Sequence, residues 1–110
     1  MNRLPMSRAA ASLLRALLTR KPEARDRILL TDCRSTDWQS LTFVGERHEM
    51  MLRITESDAQ QIYEAITGDL SEVEFPLSGR VLADVAVFGA PARSTDGSIS
   101  FAIEALTIED

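Results

Sequence analysis

Residues 55–68, TESDAQQIYEAITG, place one short amphipathic helix between two stretches that alternate like β-hairpins, and this order constrains the fold more than any other feature. Ala59, Ile62, Tyr63 and Ile66 fall at i, i+3, i+4 and i+7, a single apolar stripe, with Gln60, Gln61 and Glu64 opposite. Ser57 with Gln60 three residues later has the form of a capping box, and Asp58 adds favourable negative charge to the first turn. Gly68 is suited to the left-handed conformation that closes a helix. A helix with one face to bury requires a sheet to bury it on.

The flanking segments supply that sheet. Residues 23–37 are the hardest to read; Ile28, Leu29 and Leu30 follow Arg25, Asp26 and Arg27 and are taken as a short strand. Residues 38–54 form the first expected hairpin, with the turn at residues 45–48. That register puts Leu41, Phe43, Met50, Leu52 and Ile54 on the core face, and Trp38, Ser40, Thr42, Val44, Glu49, Met51 and Arg53 on the other. Residues 70–77 contain Pro76, which lacks a ladder donor, so this piece belongs at an edge or outside the sheet.

Residues 80–88 and 98–108 form the second hairpin, rich in Val, Ile, Ala and Phe. Here two signals disagree. Asp96-Gly97 favours a two-residue turn, which pairs odd positions with even ones. Yet Val81, Ala83, Val85 and Val87 on one side, and Ile99, Phe101, Ile103 and Ala105 on the other, share a face only if odd pairs with odd. Burying such side chains stabilises by roughly 1.5–3 kcal/mol each, so the pattern outweighs the dipeptide. A wide loop around residues 91–97, or a bulge near Gly89, is the expected result.

The reverse face of this hairpin is itself apolar, with Leu82, Ala86, Phe88, Ala102, Leu106 and Ile108 interrupted by Asp84 and Glu104. One central helix covers only one side of a sheet. The N-terminal residues offer a second helix, 7–20, with Ala10, Leu13, Leu14, Leu17 and Leu18 on one stripe and Arg8, Ser12, Arg15 and Thr19 opposite; Ser7 caps it and Pro22 stops it. Its leucines have three destinations: the protein's own sheet, a membrane surface or partner groove, or removal with a cleaved presequence. The reverse face is left to that helix, a second copy of the chain or a partner protein.

Charge narrows the partners. Residues 1–22 carry Arg3, Arg8, Arg15, Arg20 and Lys21 and no acid, +5 in all; the whole chain is −5, so −5 − (+5) leaves −10 on residues 23–110. An acidic body disfavours nucleic acid as a partner and leaves only the basic N-terminal arm for an anionic surface. With 110 residues and 45% hydrophobic composition, one domain over residues 23–110 with a helical arm at 1–22 is the expected organisation. The N-terminus is interrupted by arginines where a secretory signal is continuously apolar, and no apolar run is long enough for a membrane span, so a cytoplasmic location is expected. The single Cys33 permits no internal disulfide.

No phosphate-cradling glycine loop, paired CxxC, HExxH or GxSxG occurs in the sequence. The single His48 falls in the expected turn and reads as an exposed turn residue. Cys33 with His48 and Asp32 or Asp37 makes a thiol triad only if something lowers the thiol pKa, and nothing in the sequence does. Glu46, His48 and Glu49, or Asp32 and Asp37, are weak metal sets. Asp69, Glu72 and Glu74 read as charges that keep an edge unpaired, and Asp84 as a carboxylate needing a partner.

These readings converge on an α+β fold: a two-layer arrangement with an antiparallel sheet of four main strands in ββαββ order, one central helix, and an N-terminal amphipathic helix. The functional expectation is a non-enzymatic interaction or assembly module, a homo-oligomer or partner-binding protein, without cofactor or metal. Its interface draws on Leu82, Phe88, Leu106 and Ile108, and on Leu13, Leu14, Leu17 and Leu18. The alternatives are a small-molecule pocket or small enzyme using Tyr63, Met50, Met51 and Asp84, and a membrane-associated protein held by residues 1–22.

Overall fold

The described residues build one sheet with two α-helices on the same side. A computed structural model describes residues 6–110. Helix α1 spans Arg8–Leu18, strands β1 and β2 span Ile28–Gln39 and Val44–Ile54, helix α2 spans Ala59–Thr67, and strands β3 and β4 span Arg80–Arg93 and Ile99–Glu109. Short 3₁₀ helices lie at Pro22–Arg27, between α1 and β1, and at Leu70–Glu72, between α2 and β3. The sheet order is β1-β2-β4-β3, antiparallel throughout, so α2 carries the chain across the sheet to its far edge and β4 returns to the centre. This is the expected α+β architecture in ββαββ order after an N-terminal helix.

The central strands follow the two-residue period closely. On β2, His48, Met50, Leu52 and Ile54 are buried; on β4, Ile99, Phe101, Ile103, Ala105 and Thr107 are. The apolar ones among them join Leu13 and Leu17 of α1, and Ala59, Ile62 and Ile66 of α2, in one cluster. Tyr63 meets Phe101 edge to face, with ring centroids 5.0 Å apart. The leucine stripe of α1 is thus used up inside the domain, with Leu14 and Leu18 half-buried against the same cluster.

The first hairpin differs from expectation. Its turn lies at residues 40–43 rather than 45–48, and β1 is the long strand that begins at Ile28. The Ser40 hydroxyl accepts from the Thr42 and Phe43 amides at 3.3 and 3.0 Å, a local bond that closes the turn without glycine. Leu41 and Phe43, expected in the core, therefore stand exposed at the tip. Gly45 has a different task from turning the chain. A Cβ there would lie 2.0 Å from the Thr107 carbonyl oxygen, so glycine permits the close approach of β2 to β4.

The ends of α2 are also held differently from the sequence pattern. No side chain caps its first turn; instead the Asp58 carboxylate is gripped by both terminal nitrogens of Arg27, one at 3.1 Å, and Arg27 also reaches Glu56. Arg27 holds the Asp58 carboxyl below the usual carboxylate range. At the other end Gly68 has φ −58°, and the left-handed residue is Asp69 at φ 52°. Arg20 donates to the Ile66 and Gly68 carbonyls at 2.8 and 2.7 Å, supplying from the chain just beyond α1 what a glycine closure would have supplied locally. Ser7 likewise has two roles, accepting from the Ala10 amide at 3.1 Å and donating to Glu46 of β2 at 2.7 Å.

In the second hairpin the pattern prevails over the Asp96-Gly97 signal. Val85 pairs with Ala105 and Val87 with Ile103, odd with odd, and the register shifts between Phe88 and Ala92, where Gly89 takes φ +73°. A second bulge between Leu82 and Asp84 was not foreseen, and it exchanges faces: Val81 opposes Ile108 on the outside, whereas Leu82 packs against the core. Residues 73–79 stay outside the sheet apart from a bridge between Leu77 and Arg80.

Because α1 and α2 share one core, truncating Leu17 should cost what a buried leucine costs. Leu17→Ala is expected to lower unfolding free energy by about 2–5 kcal/mol, and Leu41→Ala at the exposed tip by no more than about 0.5 kcal/mol. Urea titration followed by circular dichroism measures both. Equal, small effects would mean that α1 does not pack on the sheet.

Candidate functional site

The sheet face opposite the helices is the most extensive feature left for function. Its rows are set by the register. Leu29, Arg53 and Ser100 lie across one end; Asp32, Met51, Ala102 and Phe88 come next; then Arg34, Glu49, Glu104 and Ala86; then Thr36, Arg47, Leu106 and Asp84. Trp38, Gly45, Ile108 and Val81 close the other end. Apolar rows therefore bracket a charged middle. Among the described residues nothing packs over them: Phe88 is 61% exposed, Val81 51%, Leu29 45% and Met51 40%. Arg53 is held to one side by Asp96 at 2.8 Å and by the Ser98 hydroxyl at 3.2 Å.

The structure divides the residues singled out by sequence. Phe88, Leu106 and Ile108 lie on this open face, but Leu82 does not, because of the bulge after it. Leu13 and Leu17 are fully buried on the opposite side of the sheet, and Leu14 and Leu18 pack beside them, so the leucine stripe and the open face are not one surface. The pocket set is likewise scattered. Met50 is buried and Tyr63 packs under the helices, whereas Met51 and Asp84 lie on the open face, Asp84 exposed and opposite Leu106. Trp38 lies on this face with Met51, as the alternation of the first hairpin predicts, whereas Val81 and Leu29 join it unexpectedly: the register shifts between Leu82 and Asp84 and between Leu30 and Asp32, and the residue types there carry no mark of it.

His48 is fully buried, contrary to the turn position expected for it. Its Nδ1 lies 2.7 Å from the Ser35 hydroxyl of β1 and its Nε2 2.8 Å from the Thr107 hydroxyl of β4, so the ring bridges three strands. Burial pushes the imidazole below its ordinary range; the Glu46 carboxylate, 3.9 Å from Nε2, opposes that shift and Arg80 adds to it. A hydroxyl beside an imidazole is the geometry of an activated nucleophile, but this ring is closed off from any substrate and its second nitrogen meets a hydroxyl rather than a carboxylate. The cluster satisfies buried polar groups. Cys33, opposite Met50, has its thiol pushed up by burial, the reverse of what a nucleophile needs. Glu49 and Asp32 point away from His48, and no three His, Cys, Asp or Glu side chains among the described residues gather as metal ligands.

No family model matches the chain, and neither a curated protein nor a solved structure matches it. No helix among the described residues is long and apolar enough to cross a membrane.

The buried imidazole has a signature in stability. Its folded pKa lies below the ordinary 6.5, so the unfolded chain takes up a proton first as pH falls. Stability from the neutral ring is complete above 6.5 and declines as pH drops from there toward the depressed folded value. His48→Gln, which keeps polar atoms for Ser35 and Thr107 but does not titrate, is expected to flatten that decline in urea unfolding measured between about pH 7 and 5. An unchanged slope would assign the pH dependence elsewhere.

Proposed function

We propose that the protein is a non-enzymatic assembly module that associates through the open face of its sheet, and that the occupant of this face is a second copy of the chain. The observation that supports the reading is the uncovered four-stranded face, on which Phe88, Val81, Leu29 and Met51 remain 40–61% exposed although both helices are available to the fold. Four strands at about 4.8 Å spacing and ten residues at about 3.3 Å rise give roughly 600 Å² per copy. Twice that, about 1,200 Å², sits at the lower limit of specific interfaces and suits a reversible dimer.

Charge favours self-association over an unrelated partner. On the β1–β2 half of the face Arg34 and Arg47 stand with Asp32 and Glu49 while Arg53 is paired with Asp96, and the β4–β3 half carries Glu104 and Asp84, net −2, so the acids of one half meet the arginines of the other. A two-fold axis parallel to the strands lays one half over the other, as an isologous contact requires.

Phe88 is the most exposed aromatic of this face, so Phe88→Glu removes a large apolar contact and adds an acid to the cleft that already holds Asp32, Glu49 and Glu104. Light scattering at micromolar concentration is expected to give twice the chain mass for the wild type, and for the variant a self-association weakened at least about ten-fold. A wild type that stays monomeric at high concentration would overturn the reading.

A further inference from the structure

The hairpin tip and a groove beside α1 meet at one end of the molecule. Leu41 is wholly exposed there, Phe43 and Val44 are about half exposed, and Trp38 stands at the base of the tip. The Ser40 bonds make this a closed turn, so its apolar side chains are presented outward rather than folded back on the core. At the same end Ser7 ties the start of α1 to Glu46, three residues beyond Phe43.

Beside it, Arg8, Ser12 and Arg15 of α1 face Ser78 and Arg80 across a groove of about 350 Å³. None of these three arginines is in an ion pair among the described residues, and Arg15 bonds only to the Ser12 hydroxyl at 3.3 Å. In a chain of net charge −5, three guanidinium groups gathered without a carboxylate partner form a site with charge to offer. Arg80 also lines the cleft that contains Trp38, Val44 and Gly45, so one side chain joins the cationic groove to the apolar tip. Asp37, Glu46 and Glu109 line that cleft too, and Glu46 is engaged by Ser7.

We propose that this end docks on the surface of an anionic bilayer, with Leu41 and Phe43 entering the interface and Arg8, Arg15 and Arg80 meeting lipid phosphates. Arginine matches phosphate geometry in pairs of donors, and a convex tip of aliphatic and aromatic side chains suits a deformable apolar phase. Apolar insertion and charge attraction act together in such docking, and neither suffices alone. Leu41, Phe43, Arg8, Arg15 and Arg80 lie off the sheet face proposed for self-association, while Trp38 stands where the tip and that face meet.

Trp38 is the single tryptophan of the chain and stands both at the base of the tip and at the end of the sheet face, so its emission is read on Phe88→Glu as well as on the wild type, which removes any change due to self-association. Full-length protein is mixed with phosphatidylcholine vesicles with and without phosphatidylserine, and followed by Trp38 emission and by cosedimentation. The expected result is a blue shift and sedimentation with the anionic vesicles alone. Leu41→Ser with Phe43→Ser should weaken binding about ten-fold or more, and Arg8→Gln or Arg80→Gln about five-fold per charge. These positions are exposed or half-exposed, and thermal melts verify that the variants remain folded. Phe88→Glu should bind vesicles like the wild type, which separates this contact from the dimer. Equal binding by the tip variant, no binding to anionic vesicles, or full displacement by free glycerophosphate would overturn the proposal, the last by reducing the groove to a simple anion site. Loss of self-association in the tip variant with vesicle binding unchanged would make the tip a protein contact and overturn it as well.

Discussion

The close antiparallel pairing of β2 with β4 is the contact on which the rest of the structure depends. These are the two central strands, and their buried residues face each other in register from Ile54 and Ile99 to His48 and Ala105. Since side chains alternate every residue, a one-residue slip would turn this whole set toward solvent. Gly45 lets the strands remain close at one end, where any Cβ would strike the backbone of β4. Ser35, His48 and Thr107 then hold β1, β2 and β4 together through a chain of buried polar atoms that have few other partners.

With that register set, both helices settle on one side. The α1 and α2 stripes bury Leu13, Leu17, Ile62 and Ile66 against the same row of strand residues. Their ends are secured by groups distant in sequence: Arg20 on the C-terminal carbonyls of α2, Arg27 on Asp58, Ser7 on Glu46. Among the described residues no helix is left to cover the opposite face. An open face with apolar rows around a charged middle can be closed by another protein surface, and this directs the functional reading toward assembly rather than chemistry.

Periodicity carried most of the architecture. The α1 and α2 stripes, the odd-with-odd pairing of β3 and β4, and the exclusion of the Pro76 segment from the sheet are all consequences of residue type and spacing. The first hairpin is not, because Leu41 and Phe43 imitate strand alternation and Gly45 imitates a turn, whereas a serine hydroxyl closes the real turn and glycine serves a close approach. His48 shares this ambiguity: its burial depends on Ser35 and Thr107, 13 and 59 residues away in sequence, and no local pattern announces such partners.

The sequence by itself determined the class of fold, the existence of two amphipathic helices and a four-stranded antiparallel sheet, and an apolar reverse face holding Phe88, Leu106 and Ile108. These depend on intervals of two and 3.6 residues, which the chain carries locally. Tertiary structure alone decided which side α1 covers, which of Val81 and Leu82 faces outward, and that an acidic chain gathers Arg8, Arg15 and Arg80 beside one groove. Those outcomes depend on bulges and on contacts between residues far apart in the chain, where a single inserted residue changes the face and nothing in its identity marks it.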